Sequence, residues 1–455
     1  MSIISTGTTL TTGLVLTSDT NGELIIKTGA SAVTAATFSS GGTATLSNVA
    51  ITSLTVSSPS VFPAGSASAP AVTTTGDTDT GIYFPAANQV AVTTGGTVAA
   101  AFNSNGLFFR NRIINGDMRI DQRNAGASVA VAAGASAFPT DRFELANNTD
   151  GAASGQQDSS VPSGFANSIK VTTTTADATL TTNQNLQFYQ RIEGTNIADL
   201  GWGAAGALTV TLSFWVRSSL TGTFGASIRN GAFDRSYPFS YTISSANTWE
   251  YKTVTIPGDT TGTWLTTTGI GMLVTFGLGA GPDRSGTAGA WAASNLIAPT
   301  GATSLIGTLN ATWYVTGVQL ETGSVATPFE RRPYGTELML CQRYYEKSYN
   351  IATVPGTATT SDYYQMTPLN PSVTNYYSAV AVIFSVSKRA APTMSYWDLA
   401  GNASRITNFD AGNLNRTNNT NTVTSFSGYE KMATMVNVQT NGTLSGFHWV
   451  AASEL

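Results

Sequence analysis

The sequence carries little charge. Of its 455 residues, 11% are Asp, Glu, Lys or Arg, against about 25% in a typical globular domain. The 22 basic and 26 acidic residues give a formal net charge of -4, and no Arg precedes Arg110. Binding to a phosphate backbone needs a clustered excess of Lys and Arg, and an electrostatic membrane anchor needs a basic cluster. The composition therefore excludes nucleic acid as the main partner and argues against such an anchor.

Cysteine and histidine are almost absent, with only Cys341 and His448. One cysteine cannot form an internal disulfide, and zinc sites draw on several Cys and His ligands. A nucleophilic dyad would need these two residues side by side, but we expect Cys341 to be a buried structural thiol. We predict no catalytic residues, no metal and no cofactor. Because a glycosidase needs only two suitably spaced carboxylates, a polysaccharide-degrading protein stays as an alternative.

Long hydrophobic runs are also missing. No apolar run approaches the roughly 18–20 residues of a membrane helix, and the most apolar segment, 269–281, is interrupted by glycine and is typical of a buried strand. The first twelve residues lack the basic and apolar regions of a secretory signal. We expect a soluble protein, made in the cytoplasm, that reaches any extracellular location by another route than ordinary secretion.

What the sequence does contain is short β-branched runs separated by Gly, Asn and Pro. A leader of residues 1–60 contains such runs at 22–27 and 51–56; as a whole it is rich in Thr, Ser and Gly, and Asp19, Glu23 and Lys27 are its only charged residues. A disordered low-complexity leader is one interpretation. We favour short strands that become ordered by wrapping around other copies of the chain.

Residues 61–110 predict a β-hairpin meander, which we call the collar. Four strand-like runs alternate with Gly- and Asn-rich turns; they are 81–84, 89–92, 98–102 and 107–109. About fifty residues of this kind bury too little apolar surface to fold alone. We therefore predict a homotrimer, since a closed three-fold arrangement leaves no strand edge to propagate.

Residues 111–335 predict a β-sandwich, because Arg, carboxylates and Trp appear together with many short strands and no helical periodicity. The strongest strands are 168–172, 208–216, 249–256 and 312–320. A linking helix is expected over 336–348, with Leu338, Cys341 and Tyr345 on one face and Gly335–Thr336 at its start. A final β domain, 349–455, contains strand-like runs at 379–384 and 446–451. The predicted fold class is all-β, with a jelly-roll-like sandwich between N-terminal β segments and a C-terminal β domain.

Aromatic residues in polar surroundings are the candidate ligand-binding groups. Sugars have apolar faces that stack on Trp and Tyr, and hydroxyls that suit Asn, Asp and Thr. The candidates for sugar stacking are Trp202, Trp264, Trp291, Trp397, Tyr363 and Tyr376. For each residue taken singly, packing against a sheet or a neighbouring subunit is the more common role.

Several segments of the sequence look familiar. Ala64 to Val72, followed by Thr75 to Tyr83, resembles a module common in bacteriophage tail fibres, especially those of cyanobacterial and marine phages. Residues 112–118 with 138–143 look like the opening of the β-sandwich in such fibres. Residues 314–332 resemble its close, and 337–345 match the pattern that follows. Together these pieces frame most of residues 64–350.

The resemblance implies a trimeric virion protein that attaches by its N-terminus to tail or baseplate proteins and displays β domains distally. It implies no catalytic residues. Such fibres also occur on capsids, so attachment to capsid proteins stays open. The expected target is bacterial surface polysaccharide or lipopolysaccharide, bound weakly and multivalently. A head fibre or structural spike, or a polysaccharide-degrading tailspike, is the alternative.

Overall fold

A computed structural model describes most of the chain, in two compact units, residues 1–62 and 63–455. The described residues are 24–28, 33–38, 44–46, 61–102, 110–366, 376–410, 413–419, 423–429, 431–438 and 442–455. Side-chain surroundings are described for residues 61–102, 110–365, 382–407, 428–429 and 446–455.

The first unit contains three described strands in one antiparallel sheet, ordered β1-β2-β3. They are β1 (Leu24–Thr28), β2 (Val33–Phe38) and β3 (Ala44–Leu46). Strand β1 overlaps the run expected at 22–27, whereas the run expected at 51–56 lies outside the described residues.

The collar is a four-stranded antiparallel meander. Its strands are β4 (Val72–Thr74), β5 (Asp77–Tyr83), β6 (Val90–Thr94) and β7 (Thr97–Phe102). Tyr83, Ala91 and Thr93 are buried, and the Thr93 hydroxyl donates to the carbonyl of Ala67 at 2.8 Å. The strand expected at 107–109 lies outside the described residues.

One face of the collar sheet is apolar and open. Val72 pairs with Ile82, and Val90 pairs with Phe102, so each pair projects to one side of the sheet. These four side chains are between 39% and 41% exposed. We call them the collar face.

The next 200 residues form a sandwich of two six-stranded antiparallel sheets, which confirms the predicted jelly-roll-like class. Its strands are β8 (Val129–Val131), β9 (Ser136–Thr140), β10 (Phe143–Asn147), β11 (Ala152–Asp158), β12 (Ser168–Thr175), β13 (Asn185–Glu193), β14 (Val210–Ser218), β15 (Gly222–Asn230), β16 (Ser236–Ile243), β17 (Glu250–Ile256), β18 (Ile270–Ala280) and β21 (Thr312–Thr322). Two further strands, β19 (Ser285–Gly286) and β20 (Ala298–Pro299), form a separate two-stranded parallel sheet. Three short 3-10 helices lie between them, at Gly194–Asn196, Ala198–Leu200 and Pro282–Arg284.

The first sheet has the order β16-β15-β18-β13-β10-β9 and the second β17-β14-β21-β12-β11-β8. Alternation along each strand sends apolar side chains between the sheets. Phe188 of the first sheet meets Trp313 of the second with ring centroids 5.9 Å apart, and the Trp313 indole donates to the Tyr241 hydroxyl at 3.1 Å. The expected buried strand at 269–281 is β18, whose residues 271–279 are all buried.

A single α-helix follows the sandwich, and its bounds correct the predicted ones. Helix α1 (Tyr334–Gln342) begins after Pro333, with no side-chain cap, and buries Glu337 and Cys341. Tyr345, expected on the helix face, lies instead in strand β22 (Tyr345–Lys347), where pairing with Ala452 replaces helical hydrogen bonds. No helix in the described part of the chain is long and apolar enough to cross a membrane.

The remaining strands form two further antiparallel sheets. They are β23 (Tyr364–Met366), β24 (Tyr376–Ile383), β25 (Thr393–Trp397), β26 (Ile406–Asp410), β27 (Asn413–Asn419), β28 (Val423–Ser427), β29 (Lys431–Val438) and β30 (Gly442–Ala452). Strand β30 pairs with β22, β23, β25 and β26, and β24-β29-β28 form the other sheet. The buried cluster around Val382, Ile406, Phe447 and Trp449 supplies their core.

Candidate functional site

An open pair of aromatic side chains lies on the outer side of the second sheet. Trp215 of β14 and Tyr251 of β17 are direct cross-strand partners, with ring centroids 5.3 Å apart and ring planes at 46°. Tyr251 is 43% exposed, and Trp215 is half-buried. Because Leu212, Phe214 and Val216 fill the core side of β14, alternation places Trp215 on the outer side.

A glycine shapes this surface. Gly317 lies at a register shift between β14 and β21 and has φ +62°, a left-handed conformation that favours glycine. A Cβ at this position would lie 2.7 Å from Cζ of Phe165 and 3.2 Å from Cδ1 of Trp215. The missing side chain therefore lets both rings close over the strand.

A second aromatic pair borders the first. Phe165 and Phe329 meet edge to face with centroids 5.4 Å apart. The guanidinium carbon of Arg331 lies 4.7 Å from the Phe165 centroid and 5.7 Å from that of Phe329, within the range of cation–π contacts. Arg331 is itself exposed, so its remaining donors face the opening.

These rings line a cleft of about 710 Å³, closed on one side by the collar turn of residues 96–98. We call it the aromatic cleft. The hydroxyls of Ser213, Thr253 and Ser324 lie along it, and the Ser324 hydroxyl lies 3.3 Å from the side-chain oxygen of Gln89 in the collar. Its size falls within the roughly 300–1,000 Å³ of ligand clefts. Ring faces beside hydroxyl and guanidinium groups suit an uncharged, hydroxylated ligand with apolar faces.

Three of the sequence-predicted stacking residues come together elsewhere. Trp202, Trp264 and Trp291 contact one another edge to face, with centroid distances of 4.7, 5.4 and 5.6 Å. Trp202 and Trp264 are each 7% exposed, and Trp291 packs partly buried against the same core. This geometry favours the packing interpretation that the sequence also allowed for these residues.

Buried polar groups fix this tryptophan cluster. The Trp202 indole donates to the Leu208 carbonyl at 2.7 Å, and the Trp264 indole donates to the Asp259 carboxylate at 3.3 Å. Arg235 donates two hydrogen bonds to the same carboxylate, at 2.8 and 2.6 Å. Burial would raise the pKa of Asp259, but the hydrogen bonds and charge of Arg235 outweigh it and hold the pKa below its ordinary value.

The other three candidates lie in the C-terminal region. Trp397 of β25 is half-buried, with its ring centroid 6.2 Å from that of Tyr349. Tyr363 lies just before β23 and is partly exposed. Tyr376 is not among the residues whose side-chain surroundings are described. Sugar stacking at the six positions stays a prediction.

The sequence analysis missed Trp215 and Tyr251, although a signal was present. In the strand 208–216, Trp215 falls on the polar side of the alternation, between Phe214 and Val216. A large aromatic residue on the outer side of a sandwich strand exposes a ring face, which marks a binding surface more strongly than a Trp in a loop does.

Cys341 and His448 have separate surroundings. Cys341 packs in a small buried cluster with Ile114, Ile120 and Tyr344, where burial raises the pKa of its thiol well above the ordinary value. His448 stacks on Tyr349 at 3.9 Å and is buried, which lowers its pKa. Among the described residues, no three His, Cys, Asp or Glu side chains gather as metal ligands would.

The segments that resemble the opening and close of the fibre sandwich meet in a buried polar junction, together with the helix segment that follows. Asn111 donates to the Val318 carbonyl at 3.1 Å, and its side-chain oxygen accepts from the Leu320 amide at 3.0 Å. Glu330 accepts from the Asn111 amide at 3.0 Å, and Glu337 of α1 accepts from the Asn115 amide. The opening and close of the sandwich thus interlock with the start of the following helix.

Comparison with known proteins gives similar folds among solved structures. No family model matches the chain, and no curated protein matches it. The CBM4 module is 17% identical over 46% of this chain and 98% of its own, with TM-score 0.23. The enzymatically active domain of bacteriophage CBA120 tailspike protein 4 is 12% identical over 47% of this chain and 21% of its own, with TM-score 0.23.

A third similar structure is the family 11 carbohydrate-binding module of Clostridium thermocellum, in complex with a β-1,3-1,4-mixed-linked tetrasaccharide. It is 13% identical over 42% of this chain and 91% of its own, with TM-score 0.22. At these identities and scores, the likeness assigns neither a ligand nor an activity to this chain.

Proposed function

We propose that the protein is a bacteriophage tail fibre whose β-sandwich binds glycan on the bacterial surface in the aromatic cleft. The observation that carries this proposal is the exposed Trp215–Tyr251 pair inside a cleft of about 710 Å³. The virion assignment comes from the sequence resemblance of residues 64–72 with 75–83, 112–118 with 138–143, 314–332, and 337–345.

The chemistry of the cleft fits a sugar chain. The faces of Trp215 and Tyr251 lie at 46° to each other, so a curved or helical chain could place successive sugar faces against them. Thr253 and Arg331 are exposed and would supply donors for sugar hydroxyls at the sides of the cleft.

Association of several chains would strengthen attachment to the cell surface, because several weak sites would then bind together. We propose a homotrimer that uses the collar face, because four large apolar side chains about 40% exposed there lose contact with water when copies pack together. A shallow sugar site has about millimolar affinity, worth about 4 kcal/mol. Three sites on one trimer would raise avidity by about 10²–10⁴.

The proposed orientation puts residues 1–60 at the particle, bound to tail or baseplate proteins, or to capsid proteins if the fibre is on the head. The sandwich and C-terminal domain then face the host. No hydrolytic step is proposed, so incubation with host polysaccharide should release no reducing ends.

The test is adsorption of the purified full chain to host cells and to polysaccharide extracted from them. Replacing both Trp215 and Tyr251 by Ala should weaken binding at least tenfold, since both ring faces are lost. Tyr429→Ala, a change at a tyrosine outside the cleft that is 59% exposed, is the control and should bind normally. Normal binding by a correctly folded double variant, or release of reducing ends by the wild type, would refute the proposal.

A further inference from the structure

A second, smaller cleft lies on the outer side of the first sheet. It has a volume of about 220 Å³ and is lined by Gln187, Arg191, Arg229, Phe233, Arg284 and Asn295, among others. Arg191 and Arg229 are both cross-strand partners of Leu273, on its two sides. Because cross-strand partners project to the same side of a sheet, the two guanidinium groups converge there. We call this the arginine cleft.

Arg229 is a buried cation held only by neutral groups. It is 2% exposed. Its guanidinium donates to the side-chain oxygens of Asn295 at 2.8 Å, Gln187 at 2.6 Å and Thr275 at 2.9 Å. Within the described part of the chain, no carboxylate lies within 4 Å of it. Burial, together with the nearby charges of Arg284 and Arg191, lowers the pKa of Arg229 to about 9, so it is still charged at neutral pH.

The cleft as a whole carries uncompensated positive charge. Arg191 is neutralised by an ion pair with Glu144, but Arg284 forms no ion pair with a described carboxylate. Two of the three guanidinium groups therefore lack a counter-ion. Of these two, Arg229 is buried, and a buried charge without a counter-ion is unfavourable. An anion entering the cleft would offset that cost.

The rim of the cleft is fixed in a strained conformation. Phe233 has φ +60°, which is rare for a large side chain and is typical of functional sites. The side-chain oxygen of Asn230 accepts from the amides of Asp234 and Arg235, at 3.2 and 3.1 Å, and so holds the turn. The Phe233 ring is 37% exposed and its centroid lies 5.4 Å from the Arg229 guanidinium carbon. It adds an apolar wall beside the cation.

We propose that the arginine cleft binds a single sugar residue that carries a carboxylate, as a side group or an end of an acidic surface polysaccharide. Guanidinium groups match planar carboxylates through paired hydrogen bonds, and Phe233 offers a face to the sugar ring. The volume is below the roughly 300 Å³ at which clefts for larger ligands begin, which limits the ligand to about one ring. This site lies on the opposite sheet from the aromatic cleft, and the proposal rests on glycan binding as the protein's function.

The test is a titration of the full chain with sodium glucuronate, in which binding is measured by isothermal calorimetry and by ligand-observed NMR. Glucose and inorganic phosphate are titrated in parallel. We expect glucuronate to bind, glucose to show no binding at the same concentrations, and phosphate to bind at least tenfold more weakly than glucuronate. Arg284→Gln should weaken glucuronate binding about tenfold or more, because a charge-assisted bond is lost. Arg217→Gln, on the second sheet, is the matched control and should leave binding unchanged.

A second variant tests the buried Arg229. Arg229→Lys keeps the charge but loses the fork geometry, and it should weaken binding of glucuronate more than binding of phosphate. Absence of glucuronate binding, equal binding of phosphate, or full binding by Arg284→Gln would each overturn the proposal. The Trp215→Ala, Tyr251→Ala variant should still bind glucuronate. If it loses glucuronate while Arg284→Gln keeps it, the acid binds in the aromatic cleft, and this proposal fails while the proposed function stands.

Discussion

Asp141 makes the stability of the protein depend on pH in an unusual direction. Its carboxylate is fully buried and accepts from the backbone amide of Gln122 at 3.1 Å and from the side-chain amide at 2.6 Å. The nearest cation, Arg123, is 3.9 Å away. Burial raises the pKa of Asp141 to about 7, because Arg123 and Gln122 only partly offset the loss of water and Asp121 adds repulsion.

The sign follows from proton binding. Between about pH 4, the ordinary value for an unfolded Asp, and pH 7, the folded state keeps a proton that the unfolded state has released. The free energy of unfolding must therefore fall as the pH rises through this window. A shift of about three pKa units at about 1.4 kcal/mol each gives a loss of about 4 kcal/mol.

Asp141→Asn removes this titration. Loss of one hydrogen bond should cost the variant about 1 kcal/mol at pH 4.5. By pH 8 the variant should exceed the wild type by about 3 kcal/mol, because only the wild type carries the buried charge. Urea unfolding followed by tryptophan fluorescence, at half-unit steps from pH 4.5 to 8, measures the difference.

Gln122→Leu provides an independent check. It removes the side-chain donor that favours the ionised form, so the fall in stability should extend to higher pH than in the wild type. The reasoning is refuted if the stability difference between wild type and Asp141→Asn stays within 1 kcal/mol over the whole range, or if the wild type gains on the variant as the pH rises.

Two further predictions concern the aromatic cleft and the collar face. Gly317→Ala should lower the free energy of unfolding by about 1–3 kcal/mol, because an L-residue is strained at φ +62°, and should weaken glycan binding by displacing Phe165; unchanged urea unfolding and adsorption would contradict this. Replacing Ile82 and Phe102 on the collar face by Lys should convert trimers to monomers in sedimentation velocity, whereas Tyr429→Lys should not; a wild type that sediments as a folded monomer at micromolar concentration would remove the homotrimer proposal.

The β architecture follows from local pattern, whereas the site depends on contacts between distant segments. Alternation predicted the strand 208–216, and a continuous, glycine-interrupted apolar run predicted the buried strand at 269–281, since each signal needs only the segment's own residues. Composition also singled out Trp202, Trp264 and Trp291. Their mutual packing could not be predicted, because it depends on how three loops meet at the end of the sandwich.

Tyr345 is a second residue whose position could not be predicted from local sequence. Its spacing from Leu338 and Cys341 fits a helix face, but pairing with Ala452, more than a hundred residues later, places it in a strand. Arg229 had no local signal at all. Arg229 is significant because it is buried with no carboxylate beside it. That environment is formed by neighbouring strands and by the loop containing Asn295, which lie far from Arg229 in the sequence.

Strand β30 determines when the C-terminal sheet can form during synthesis of the chain. Four other strands, β22, β23, β25 and β26, use it as their partner, yet it is synthesised after all of them. At about 5–20 residues per second, the ribosome needs about 5–20 seconds to pass from β22 to the end of β30. Until then those strands have open edges, which favour aggregation.

A chain that stops before residue 442 would leave this sheet without its central strand. Such a product should be recognised by proteases and chaperones, because its strand edges stay unpaired. The position of β30 thus acts as a check on completeness, since the C-terminal sheet can fold only after the chain has been synthesised through that strand.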